Sequence, residues 1–105
     1  MAKRLDALAS AATRLRAATA ARQWVAVARI DAEIAALLES FRSGCPLSSA
    51  ERQAVEALAA VHGLAREACA DEAARIGRRL AEMCTHRDGW MAYALTDYDL
   101  PEPRT

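Results

Sequence analysis

Cys84, His86 and Asp88 stand at two-residue spacing in "CTHRD", with His62 further back, and these residue types can ligate zinc. The spacing argues against it. Zinc ligands usually come as two pairs, and alternate positions on a helix point in different directions. The expected metal set is therefore none, with His86 a solvated residue near a helix end. Asp71 and Glu72 are paired carboxylates, but consecutive helical residues do not converge on one substrate. The chain holds no G-x-S-x-G, no glycine-rich phosphate loop, no H-E-x-x-H and no E-x-x-H pair. No catalytic residues and no cofactor are expected, and the chain does not read as an enzyme.

A protein without a chemical site must act through its surfaces, so the elements that present them come next. The 105 residues hold 53% hydrophobic and 27% charged side chains with net charge zero, and about a quarter of the chain is alanine. That composition predicts an all-α fold of long helices with a modest core. Balanced charge disfavours nucleic-acid binding, which needs a local excess of lysine and arginine. "MAKRLDALAS" has no apolar h-region and no stretch approaches a membrane span, so a cytoplasmic protein without membrane insertion is expected. Cys45, Cys69 and Cys84 form no C-x-x-C pair and are expected to be reduced, two of them packed as small hydrophobes.

Three helices are expected, over about residues 3–20, 22–42 and 48–84. In the first, Leu5, Leu8, Ala12 and Leu15 share a face. In the second, Val27, Ile30, Ile34, Leu37 and Phe41 alternate steps of three and four, a coiled-coil-like seam with Trp24 just before it. Ile30 and Ile34 read as core, and Trp24 as the staple of the first corner. Gly44 and Pro46 close the second helix, the glycine able to adopt a left-handed conformation. Ser48 and Glu51 have capping-box spacing and open the third. Its stripe runs through Val55, Leu58, Val61, Ala65, Ala68 or Cys69, Ala73, Ile76, Leu80 and Met83, and it should overhang its partners. Asp88-Gly89 reads as a turn and Trp90–Leu95 as a short last helix, followed by an acidic, proline-containing end. The expected organisation is an antiparallel bundle over 1–87 and a short helix with a flexible tail over 88–105.

Trp90, Tyr93 and Tyr98 are three of the five aromatic residues, all in the last sixteen positions. A segment that short is not a stable isolated helix, so it must dock. Either it caps the core, filling space left by alanines, or it covers a groove on the third helix that a partner helix takes by displacing it. Leu64, Ala68, Ile76, Leu80 and Met83 are the expected groove, and Trp90, Tyr93 and Leu95 the expected lid. Permanent exposure of a few hundred Å2 of apolar groove costs on the order of 10 kcal/mol in solvation. The basic residues of helix 1 (Lys3, Arg4, Arg14, Arg16, Arg22) also offer the acidic tail a weak, salt-screened attraction.

"ATAARQW" before an apolar-periodic helix, "ACADEAARIGRRLAEM" in a long helix, and "WMAYAL" near the end together resemble the flagellar FliT family. The resemblance rests on Gln23-Trp24 at the corner, a loose "R-x-D/E-x-L" pattern in Glu72–Ile76, and Ala92-Tyr93. It spans about Leu5 to Leu95. It implies a cytoplasmic export chaperone of the flagellar type III system that holds the filament-cap protein FliD unassembled and delivers it to the export apparatus. By position it implies that Tyr93 regulates partner access. Some family members also bind the FlhDC activator, so a transcriptional antagonist is an alternative. Others are a FlgN-like junction chaperone, or a structural protein self-assembling through the Val27–Phe41 seam. A monomer or weak homodimer is expected.

Overall fold

A computed structural model describes residues 2–99, with side chains from Lys3 to Thr96. The expected acidic end, including the side chains of Asp97, Tyr98 and Asp99, lies outside the described residues. Three helices are present and no strand among the described residues: α1 (Ala2–Ala20), α2 (Trp24–Phe41) and α3 (Ser49–Asp99). The all-α expectation holds. The chain divides after Ala70 into two units.

In the first unit the core is small side chains around a few large ones. Leu8 and Leu15 of α1 are fully buried, with Val27, Ile30 and Ile34 of α2 and Leu58, Val61 and Ala65 of α3 closing over them. These are the predicted stripes. Leu37, Phe41 and Trp24 pack against the same cluster. Most of the Val27–Phe41 seam is therefore occupied by packing inside its own chain.

The α1–α2 corner is closed by backbone. Gln23 N–H donates to the Ala18 carbonyl and Arg22 N–H to the Thr19 carbonyl, each at 3.0 Å, the pattern of a Schellman cap. The left-handed position it requires is held by Arg22, with φ of 58°, where glycine is usual. The sequence reading placed the left-handed residue at Gly44 instead, but no glycine has positive φ. Gly44 serves a different purpose. A Cβ there would sit 2.5 Å from Nη2 of Arg4, so its lack of a side chain admits the guanidinium.

That guanidinium joins three elements. Arg4 of α1 donates to the Cys45 carbonyl at 3.1 Å, pairs with Glu51 of α3 at 3.4 Å, and lies 5.0 Å from the Phe41 ring centroid. The capping box expected of Ser48 and Glu51 is formed. Ser48 N–H donates to Glu51 Oε1 at 2.8 Å and Glu51 N–H to Ser48 Oγ at 3.1 Å. Arg14 pairs with Glu33 across α1 and α2 at 2.6 Å. Arg22 lies 6.0 Å from the Trp24 ring centroid, so three of the basic residues expected to attract the tail, Arg4, Arg14 and Arg22, are already engaged.

Two expectations are corrected. Cys45, Cys69 and Cys84 are all exposed free thiols, so none packs as a core hydrophobe. Asp88-Gly89 is not a turn: α3 runs through it to Asp99, and Trp90–Leu95 belongs to that helix rather than to a separate one. Glycine costs a helix only about 1 kcal/mol against alanine, not enough to end α3 here.

The hydrogen bond from the Ser48 amide, helped by the charge of Arg4, holds the Glu51 carboxyl below its ordinary value of 4.5 against the opposing effect of burial. A carboxyl depressed in the folded state contributes stability above its unfolded value, and loses it as pH falls through the folded one. Chemical denaturation as a function of pH should therefore show the parent losing more stability than Glu51→Gln below about pH 4.5. Parallel pH profiles would contradict this. At Gly89 an added Cβ meets nothing within 4 Å. Gly89→Ala should raise helicity by circular dichroism and slow amide exchange around residue 89, gaining about 1 kcal/mol locally. A turn with positive φ there would give the opposite sign.

Candidate partner-binding surfaces

Two apolar clefts lie between α2 and α3 of the first unit. One, of about 390 Å3, has Leu15 as its floor, Trp24, Val27, Ala28 and Asp31 on its α2 wall, and His62, Ala65, Arg66 and Cys69 on its α3 wall. The other, of about 300 Å3, is walled by Asp31, Ile34, Ala35 and Leu38 of α2 and by Val55, Leu58, Ala59 and His62 of α3. Moving from one cleft to the other shifts both walls by seven residues. The clefts are successive holes of one heptad-spaced groove, the kind a knob from another helix fills.

Between the holes the groove is bridged once. His62 Nε2 lies 2.6 Å from Asp31 Oδ1, and both side chains keep contact with water. The sequence reading missed this groove. Its signal was present as alanines at seven-residue spacing (Ala28 and Ala35) facing α3, in a seam read only for its large residues.

The second surface is on α3 within the second unit. Ile76, Leu80 and Met83 are 44%, 54% and 61% exposed, and Trp90, Tyr93 and Leu95 are 76%, 70% and 60% exposed. Ile76, Leu80, Met83 and Trp90 follow steps of four, three and seven, which place them on one face of the helix. The expected groove residues are divided. Leu64 (exposed) and Ala68 (half-buried) belong to the first unit, and Ile76, Leu80 and Met83 to the second.

The lid is not closed over the groove. Trp90 stands fourteen residues from Ile76 on a continuous helix, about 21 Å along its axis, and cannot cover it. Glu72 and Arg75, in the segment carrying the loose family pattern, are joined by bonds of 3.2 and 2.7 Å along one helix face. This is a local helix pair rather than a site.

Among the described residues no group of three or more His, Cys, Asp or Glu gathers as a metal site, and no helix is long and apolar enough to cross a membrane. Comparison of the chain with family models, characterised proteins and solved structures finds no match.

Trp90→Ala should leave the melting transition of the first unit within about 0.5 kcal/mol of the parent, as befits an exposed side chain. Leu58→Ala, by contrast, should cost about 2–5 kcal/mol by opening a core cavity. Equal losses in thermal unfolding would restore Trp90 to the core.

Proposed function

We propose that this protein is a cytoplasmic export chaperone that shields an aggregation-prone helical segment of a filament-cap protein of the FliD type. In this reading the first unit is an antiparallel three-helix bundle, and the client lies on the apolar face of α3. The observation that carries the reading is the row of large apolar side chains, Ile76, Leu80, Met83 and Trp90, left open to water. Scattered exposed leucines are ordinary, but large apolar residues aligned on one exposed helix face mark an interaction surface. A client helix presenting residues at three- and four-residue steps buries such a row by helix-against-helix packing. The resemblance at Gln23-Trp24, Glu72–Ile76 and Ala92-Tyr93 supplies the identity of the client.

The lid enters this reading as an equilibrium. Trp90, Tyr93 and Leu95 stand open in the continuous helix, and closure over Met83 requires α3 to break near Gly89, where glycine lowers the cost. A client that binds only the open form feels closure as a reduced apparent affinity.

Calorimetric titration of the full chain with the C-terminal segment of the same organism's filament-cap protein tests the proposal. The expected result is saturable binding that Leu80→Ser weakens about tenfold, the loss of one buried leucine contact. Tyr93→Ala should tighten binding if the lid closes appreciably. No binding by the folded parent chain would remove the chaperone reading.

A further inference from the structure

We infer that the α2–α3 groove of one molecule receives the 76–90 stripe of a second copy of this chain. The first argument is spacing. The two holes of the groove are separated by seven residues on both walls. On the stripe, Met83 and Trp90 are also seven residues apart, and Ile76 lies seven before Met83. Both partners of the contact are open to water: Ala28, Ala35 and Ala59 on the groove, and the large apolar side chains on the stripe. The larger hole beside Trp24 takes Trp90, and the smaller takes Met83.

The second argument is charge. The polar bridge of Asp31 and His62 separates the two holes. Arg87 occupies the corresponding place on the stripe, between Met83 and Trp90 at steps of four and three. Among the described residues Arg87 pairs with its neighbour Asp88 at 3.7 Å, and the Asp31 carboxylate meets His62 through Oδ1. Docking with Trp90 and Met83 in the holes sets the Arg87 guanidinium against Asp31. An apolar–cationic–apolar row thus meets two apolar-walled holes parted by the Asp31 carboxylate with His62 beside it, and a shift by three or four residues would take Arg87 away from Asp31, in one direction toward Arg66 on the wall of the Trp24 hole. A buried polar contact of this kind fixes register in coiled coils.

The occupant is a second copy because one chain carries both complementary halves. The inference goes beyond the chaperone reading and does not need it. A client that uses the stripe would compete with the second copy, so association is measured on the protein alone.

Sedimentation equilibrium of the full chain should show a reversible, concentration-dependent oligomer. Asp31→Arg and Arg87→Asp each change a side chain that is more than half exposed, and circular dichroism should show the fold retained. Each should weaken association tenfold or more, the effect of opposing like charges in an interface. The two exchanges combined in one chain should recover most of the loss. A parent that stays monomeric at millimolar concentration overturns the inference. So does an oligomer indifferent to Asp31→Arg, which would indicate stripe packed on stripe, or single losses that the double variant does not repair.

Discussion

What alanine can and cannot fill governs this molecule. Leu8, Leu15, Ile30, Ile34 and Leu58 supply enough volume to close a core at the centre of the first unit. Toward the surface the walls of α2 and α3 include the exposed Ala28, Ala35 and Ala59, too small to fill the space between the helices. The two neighbouring clefts are apolar-walled and open to solvent. Closing them needs side chains from outside the wall. The groove, its single polar bridge and its suitability for another helix all follow from the small size of those residues.

The opposite end of the unit is built for rigidity. Arg4 reaches from α1 to the loop carbonyl of Cys45, to Glu51 in the first turn of α3, and over the Phe41 ring. The carboxylate it meets already accepts the Ser48 amide, at the end of α3 where the helix dipole favours negative charge. One cation therefore ties the start of α1 to the end of α2 and the start of α3. Arg14 and Glu33 add a second tie across α1 and α2. A scaffold pinned there can leave the Trp24 end of the α2–α3 groove open without losing the register of its helices.

Much of this was legible in the sequence, because apolar periodicity and capping chemistry are local. Val27, Ile30 and Ile34 read as core by their three-and-four spacing, and they are buried. Ser48 and Glu51 read as a capping box by their three-residue spacing, and the reciprocal bonds are present. What could not be read depended on contacts distant in sequence or on balances of small terms. Gly44 looked like a left-handed residue, yet its role is to admit Arg4 from forty residues away. Arg22 takes the left-handed position because the Schellman bonds at the corner require one there, whatever the residue. Asp88-Gly89 looked like a turn, but one glycine costs a helix only about 1 kcal/mol, and the helix continues. The Asp31–His62 contact joins residues thirty-one apart and was invisible to any local pattern.

The central claim is that the open apolar face of α3 is where this protein meets a helical partner. Amide hydrogen exchange of the full chain, with and without the C-terminal segment of the same organism's filament-cap protein, tests it most directly. The account predicts slowed exchange concentrated in residues 76–93, with the solvent face of α1 unchanged. Protection confined to α1, or none at saturating segment, would contradict it.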